Sequence, residues 1–277
     1  MTPLIFSIIM LVGAYLGGIV GSLTGLGGGA MIIPLLTLGF GVDFHYAIGS
    51  ALVASIATSS GSASAYVKEG ITNMRLGMFL EIATTAGAVI GAFLAMYTPV
   101  NVVAIIFGCT LTFSAAMTIR KKHDHALTEG SPLAATLKLN GSYPAGGTEI
   151  QYSLKNVAGG FSIMALAGVL SALLGIGSGA LKVLAMDGAM KVPFRVSTTT
   201  SNFMVGVTAA ASAAVYLQRG YIVPGLCFPV VIGALFGAII GAKLLMRIPV
   251  QTLRILFSVA IALIALQMIN SGFHHKF

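Results

Sequence analysis

The chain has 277 residues, of which 57% are hydrophobic and only 8% are charged, with a net charge of +8 at pH 7. A soluble domain, in which about a quarter of the residues are charged, cannot hide this much apolar surface. The composition therefore excludes a soluble globular protein and predicts an all-α polytopic membrane protein, in which lysine and arginine report orientation rather than a nucleic-acid partner.

Ten apolar segments follow one another, and most approach the roughly 20 residues that a helix needs to cross a bilayer. They are residues 4–23, 26–40, 47–67, 76–97 and 100–119, then 157–174, 176–190, 196–217, 222–245 and 250–269. Because 26–40 and 176–190 are short, we expect about eight full-length helices and two short ones. The domains are then a first membrane repeat at 1–119, a connector at 120–156 and a second repeat at 157–277.

The connector is polar and holds two short alternating runs, residues 137–140 and 149–154, with Gly, Pro and Ser between them. This pattern predicts a small β-hairpin outside the membrane.

The last part of the chain repeats the first at an offset of 150 residues. "GLGGGA" at Gly25 aligns with "GIGSGA" at Gly175, and "GAVIGAFLAMYTPV" at Gly87 aligns with "GAIIGAKLLMRIPV" at Gly237. Self-similarity at a fixed offset indicates an internal duplication.

The two halves can be parallel or inverted. If each short segment merges with the preceding helix, each half has four spans, the repeats are parallel, and the Lys and Arg residues other than Lys182 divide nine against five. If each short segment crosses, each half has five spans, the repeats are inverted, and the division is twelve against two. Because basic loops face the cytoplasm, we predict two inverted repeats of five segments with a cytoplasmic connector, and keep 4+4 parallel repeats as the alternative.

The glycine motifs precede segments that are too short to span the hydrocarbon core, so each break should fall within the membrane. Broken helices at matching positions of inverted repeats indicate a transporter's substrate site, and helix starts present N–H groups that bind anions. We therefore predict an anion site that includes Gly25, Gly27, Gly28 and Gly29 with Gly175, Gly177, Ser178 and Gly179.

Polar side chains near the second motif extend this predicted site. Lys182 is expected to be the counter-charge for the anion, since an intramembrane lysine is costly and indicates function. Hydroxyl and amide donors suit an oxyanion. We therefore add Thr199, Thr200, Ser201 and Asn202 of "VSTTTSN", together with Ser50, the repeat counterpart of Thr200. Glu81 is a candidate carrier of a coupling proton, with an interfacial acidic residue as the alternative.

At these motifs the chain resembles the TauE/SafE family, also called the sulfite exporter or toluenesulfonate uptake permease family. The resemblance rests on "GLGGGAMIIP", "GIGSGALKV" and "VSTTTSNFMVGVTAAASAAVY" and covers nearly the whole chain. It implies a secondary carrier of sulfur-containing anions such as sulfite, thiosulfate or sulfonates, or of related organic anions.

We therefore expect a multi-pass carrier in the cytoplasmic membrane of a prokaryote that moves a small anion by alternating access. A passive anion channel and a carrier of a non-sulfur organic anion are the alternatives. The sequence has no Walker motif, metal-ligand motif or nucleophile elbow, so we expect neither an enzyme nor a cofactor. A homodimer stays open, as does the choice of proton or sodium as the coupling ion.

Overall fold

The protein is described by a computed structural model that covers residues 3–99, 130–145, 148–174, 179–245 and 247–273, and positions 101, 102, 105, 106, 108, 109, 112 and 116. The first half holds α1 (Pro3–Thr24), α2 (Gly29–Pro34) with a following π-helical segment (Leu35–Gly39), α3 (Phe44–Lys68) and α4 (Met74–Ala95). The connector holds α5 (Pro132–Thr136), β1 (Gly141–Ala145) and β2 (Thr148–Tyr152). The second half holds α6 (Val157–Leu174), α7 (Gly179–Val183) with a π-helical segment (Leu184–Ala189), α8 (Phe194–Gln218), α9 (Pro224–Leu245) and α10 (Val250–Phe273).

Within the described ranges, four helices are long and apolar enough to cross a membrane, namely Leu4–Thr24, Met74–Ala95, Phe194–Gln218 and Pro224–Leu245. Large apolar side chains such as Leu4, Ile82 and Phe228 are exposed on the outer faces of these helices. An apolar surface of this kind would aggregate in water and is stable against lipid. The chain is a helical, multi-pass membrane protein.

Polar side chains fix where two of the long helices begin. The Asp43 carboxylate accepts a hydrogen bond from the His45 N–H (2.9 Å) at the start of α3, and the Asn73 side chain accepts one from the Leu76 N–H (3.0 Å) at the start of α4. Each bond satisfies one of the N–H groups that a helix start leaves unpaired. These caps position α3 and α4 on either side of a short loop.

Helices of the first half pack on helices of the second through glycines, and two of these contacts are equivalent in the repeat. α1 packs on α9 so closely that a methyl group on Gly18 would overlap the Ala234 carbonyl oxygen. α4 packs on α6 in the same way, since a methyl group on Gly168 would overlap the Thr84 carbonyl oxygen. Both residues of the second contact are related to those of the first by the offset of 150. The packing therefore follows the internal repeat of the sequence.

The contact between α1 and α9 also fixes their relative direction. Gly233, early in α9, packs on Leu11, and Gly241, two turns later, packs on Ile19. Both residue numbers rise together, so the two helices run in the same direction.

The α2 segment runs back along α1. Met31 packs against Gly17, and the ring of Phe40 lies 4.7 Å from the ring of Phe6, near the beginning of α1. α3 begins there and ends beside the end of α1, where the Tyr66 hydroxyl donates to the Ser22 carbonyl (2.9 Å). α1 and α3 therefore run in the same direction, with the chain returning between them through α2.

The connector contains a two-stranded antiparallel hairpin in which Gly141 faces Tyr152 and Ala145 faces Thr148. Its first strand follows the predicted run 137–140 instead of coinciding with it. Lys138 has a left-handed backbone (φ 51°) directly after α5, so this run forms the exit from a helix. A strand begins only where the backbone becomes extended, and here that happens at Gly141.

Asn73 ties the hairpin to the loop between α3 and α4. Its side-chain amide donates to the Leu139 carbonyl (2.8 Å) and to the Tyr152 hydroxyl (2.9 Å). Burial in this contact raises the pKa of Tyr152 to about 12, while the hydrogen bond from Asn73 acts in the opposite sense. The connector is therefore docked against the helices by a specific polar contact.

Candidate functional site

The first glycine motif forms the turn between α1 and α2. Gly25 and Gly27 have φ angles of +77° and +75°, a conformation that other L-residues rarely adopt. At Gly27 a methyl group would also come within 2.8 Å of Val205 Cγ1 on α8. The turn therefore needs glycine for both its conformation and its packing.

Gly28 and Gly29 place the start of α2 against the middle of α3. Methyl groups on these glycines would overlap the hydroxyl oxygens of Thr58 and Ser55, respectively. Thr58 donates to its own helix at the Ala54 carbonyl (2.9 Å), whereas the buried Ser55 hydroxyl has no hydrogen-bond partner in the described part of the chain. A buried hydroxyl thus lies directly beside the first glycine motif.

The second glycine motif meets the first at its last residue. Gly175, Gly177 and Ser178 lie outside the described residues, and Gly179 begins α7. A methyl group on Gly179 would overlap the Gly25 carbonyl oxygen, so this backbone contact leaves no room for a ligand between the two glycines. The Ser201 hydroxyl on α8 lies 2.9 Å from the Gly25 carbonyl oxygen and 3.2 Å from that of Gly179, and it donates between them.

Asn202, the neighbour of Ser201, also faces the first glycine motif. Its side-chain amide donates to the Ser22 carbonyl at the end of α1 (2.7 Å), and its backbone carbonyl accepts from the Ser59 hydroxyl on α3 (2.6 Å). Its side-chain oxygen is buried and has no hydrogen-bond partner among the described residues. Ser201 and Asn202 therefore join α1, α3 and α8 around the glycine contact.

The other predicted hydroxyl groups form hydrogen bonds near the ends of neighbouring helices. Thr199 donates to the Ile71 carbonyl (3.3 Å) or back to its own helix, and Thr200 accepts from the Asn73 N–H (3.1 Å). Ser50 accepts from the Cys227 thiol on α9 (3.7 Å). The structure thus brings Ser201 and Asn202 to the glycine motifs but places Thr199, Thr200 and Ser50 at contacts with the starts of neighbouring elements.

Lys182 and Glu81 form a buried ion pair. The Lys182 side chain has no accessible surface, its Nζ lies 3.6 Å from Glu81 Oε2, and it donates to the Thr208 hydroxyl. The Thr208 hydroxyl lies 2.6 Å from Glu81 Oε1, and the Thr85 hydroxyl donates to the same oxygen (3.1 Å). The result is an electrically neutral cluster that joins α4, α7 and α8.

Sequence reasoning treated Lys182 and Glu81 separately and missed both threonines. Thr208 follows Ser201 by seven residues, a spacing that keeps two helical residues on one face. Thr85 follows Glu81 by four, which also allows contact on a helix. These spacings could have identified the threonines as neighbours of the site once the face of each helix was known.

The ion pair joins the two halves, and the place related to it by the repeat has no charged residue. The repeat counterparts of Lys182 and Glu81 are Ile32, which is fully buried, and Val231, which is partly buried. The counterpart of Thr208 is Thr58, so the hydroxyl is present in both halves. The same scaffold therefore accommodates an apolar pair, and the ion pair is an addition to it.

This arrangement suits an anion better than a metal ion. The cluster offers a buried ammonium and neighbouring hydroxyls, all of which can donate to oxyanions. Among the described residues no group of three or more His, Cys, Asp or Glu side chains could hold a metal.

Comparison with known proteins agrees with a membrane transporter. A family model described as "Sulfite exporter TauE/SafE" matches residues 9–268. The "Probable membrane transporter protein YunE" of Bacillus subtilis (strain 168) is 27% identical over 273 residues, which are 96% of this chain and 98% of that protein. The "Probable membrane transporter protein YdhB" of the same organism is 25% identical over 240 residues, 87% of this chain and 91% of that protein. No solved structure matches the chain.

Proposed function

The chain belongs to the sulfite exporter TauE/SafE family, and on that basis we propose that it is a secondary carrier for a small sulfur-containing anion. Sulfite, thiosulfate and simple sulfonates are the candidate substrates, and the cytoplasmic membrane of a prokaryote is the proposed location. Both relatives come from Bacillus subtilis and bear names of probable membrane transporters, which supports this location and role.

The directions of the helices support two inverted repeats of five segments. α1 and α3 run in the same direction with α2 returning between them, so α2 acts as a crossing segment of its own. α4 follows α3 after the short loop that contains Asn73, and it runs in the opposite direction to α3. α9, by contrast, runs in the same direction as α1. Since α9 is the repeat counterpart of α4, the two counterparts run in opposite directions, as inversion requires. Inverted halves supply the two equivalent conformations on which alternating access depends.

The observation that carries the proposed site is the complete burial of Lys182 beside hydroxyl groups. Helical side chains lean toward the start of their helix, so the ammonium of Lys182 reaches back toward the second glycine motif. Lys182 would provide the charge, while Ser201, Asn202 and Ser55 would provide hydrogen bonds on the side of the first motif. Because Gly25 and Gly179 touch, the substrate would bind beside this contact or after the halves separate there.

Binding to purified full-length protein in lipid nanodiscs tests the proposal. Sulfite, thiosulfate and methanesulfonate are titrated against wild type, Lys182→Gln and the exposed-lysine control Lys68→Gln. A bound ligand at a hundred times its Kd raises the unfolding free energy by about 2.7 kcal/mol. We expect that stabilisation in wild type and Lys68→Gln and its loss in Lys182→Gln. If no probe stabilises wild type, or if Lys182→Gln binds equally well, the proposed site is wrong.

Transport in proteoliposomes tests the mechanism. An alternating-access carrier shows saturable uptake and counterflow, in which unlabelled anion inside accelerates entry of labelled anion. A conductance that grows linearly with concentration and shows no counterflow would instead identify a passive anion channel.

A further inference from the structure

We infer that the carrier takes up a proton together with its anion and that the Glu81 carboxylate receives this proton. The inference rests on the proposed function, because it concerns the charge balance of the same buried site.

The charges at the site are balanced before an anion arrives. Lys182 has no accessible surface and the Glu81 side chain keeps only 10%, so each ionised group depends on the other for compensation. An anion bound at Lys182 would leave the interior with one uncompensated negative charge. A low-dielectric interior strongly disfavours such a charge, so binding of the anion alone is opposed.

A proton on Glu81 restores the balance. Before binding, the site contains an ammonium and a carboxylate. After binding, it contains an ammonium, the anion and a neutral carboxylic acid. For a singly charged anion the net charge is zero in both states. The protonated Glu81 keeps its neighbours, since with the proton on Oε2 the Oε1 atom still accepts from the hydroxyls of Thr85 and Thr208.

The local structure favours Glu81 as the proton acceptor. Its Oε2 atom has no hydrogen-bond partner in the described part of the chain, although it faces Lys182 at 3.6 Å. Of the two side chains in the ion pair, only that of Glu81 keeps accessible surface, although its Oε2 atom is itself buried. Oε2 is therefore the site at which a proton can be added without breaking an existing hydrogen bond.

The other ionisable side chains on the elements around Glu81 are few. α6, which packs on α4, has no ionisable side chain between Val157 and Leu174. The remaining ionisable side chains on the surrounding elements, apart from Lys182, are near the ends of their segments. They are Arg75, Asp187, Arg195 and Tyr216. Arg195 donates to the Ile248 carbonyl (2.7 Å) and Tyr216 to the Ala172 carbonyl (3.4 Å). Lys182 is therefore the charged group that faces Glu81.

Sodium fits this position less well than a proton. A sodium ion at Glu81 would lie next to the Lys182 ammonium and would be repelled by it. The hydroxyl partners of the carboxylate among the described residues are those of Thr85 and Thr208, whereas hard cations take about six or more oxygen ligands. A proton needs no such set of ligands.

Titration calorimetry on the full-length protein in nanodiscs measures the proton directly. Methanesulfonate, thiosulfate and sulfite are each titrated in two buffers of different ionisation enthalpy, with the proton exchange of sulfite itself measured separately and subtracted. For methanesulfonate, which is singly charged, we expect wild type to take up about one proton per anion and its affinity to fall about tenfold per pH unit on the alkaline side. Glu81→Gln imitates the neutral acid and should bind without proton uptake or this pH dependence. Glu81→Asp should retain both, and the exposed control Glu69→Gln should match wild type.

The outcomes separate the two proposals. Anion binding without proton uptake in wild type, or uptake that persists in Glu81→Gln, would overturn the inference and leave the proposed function intact. The failure of all three probes to bind wild type would overturn the proposed function and the inference with it.

Discussion

Replacing Lys182 by Ile and Glu81 by Val together would give each position the residue of its repeat counterpart in the other half. Either substitution alone leaves one buried charge without its partner, which costs about 3–5 kcal/mol of unfolding free energy. The double substitution removes both charges and introduces the side chains of the repeat counterparts, Ile32, which is fully buried, and Val231, which is partly buried. Replacing a buried ion pair by apolar groups is often neutral or stabilising by about 1–4 kcal/mol, and we expect that result here.

The structure indicates that the double substitution leaves few buried polar groups without a hydrogen-bond partner. The Thr208 hydroxyl would lose Lys182 and Glu81 but retains an acceptor in the Met204 carbonyl at 3.1 Å. Thr85 follows position 81 by four residues, so its hydroxyl can donate to the backbone carbonyl at position 81 of its own helix. The expected gain from apolar packing is therefore not cancelled by an orphaned buried group.

Reversible unfolding in mixed micelles of wild type, both single variants and the double variant measures these free energies, with anion binding measured on the same samples. We expect each single variant to be destabilised and the double variant to be at least as stable as wild type, yet unable to bind sulfite or thiosulfate. A double variant as unstable as the singles would refute the reasoning that the fold does not need the pair. A stable double variant that still binds these anions would refute the role of Lys182.

Three further predictions concern the glycine motifs and the connector. Ser201→Ala removes the donor that links the two glycine motifs and should lower the unfolding free energy by about 1–3 kcal/mol. The control Ser60→Ala, at an exposed position, should leave the unfolding free energy unchanged. Equal losses in the two variants would contradict the prediction. Gly27→Ala should destabilise more than Gly220→Ala in thermal unfolding, since the φ angles are +75° and +76° but no atom lies within 4 Å of a methyl group at Gly220. Equal losses would mean that backbone strain alone explains the glycine at 27. Because burial raises the pKa of Tyr152 from 10.0 to about 12, its contribution to docking of the hairpin should be full below pH 10 and lost as the pH rises to 12. The phenolate absorbance of wild type minus Tyr152→Phe should titrate with a midpoint near 12, and a midpoint near 10 would show that the side chain is not buried.

The repeat was readable from the sequence because close packing of helices imposes a local requirement on residue type. Gly18 and Gly168 each face a carbonyl oxygen of the other half, and Tyr66 and Tyr216 each donate to a carbonyl of an equivalent helix. Only glycine permits such an approach, so duplication of the contact preserves the residue. The turn at Gly25 could also be predicted from the local sequence, because its glycines precede a segment too short to cross the membrane.

The ion pair and the strand boundary depend on information that a local pattern does not contain. Glu81 and Lys182 are a hundred residues apart and meet only because α4 and α7 both pack against α8, so neither residue by itself indicated the other. Thr200 appeared equivalent to Ser201 in "VSTTTSN", but successive helical residues point about 100° apart and face different neighbours. In the connector, the exit from α5 at Lys138 resembled the start of a strand, because both have alternating polar and apolar residues.

The internal duplication provides its own criterion for separating scaffold from chemistry. Where counterparts are identical and make the same contact, as Tyr66 and Tyr216 do, the residue serves packing that both halves need. Where the counterparts differ and both are buried, as with Lys182 and Ile32, the fold accepts either residue and selection must act on something else. A buried charge lowers stability unless it is compensated, so its presence in one half alone requires a functional gain. Under alternating access the two halves must nevertheless exchange equivalent conformations. The ion pair of the proposed site joins Glu81 of the first half to Lys182 of the second at one of two repeat-related places, whereas the packing contacts occur at both.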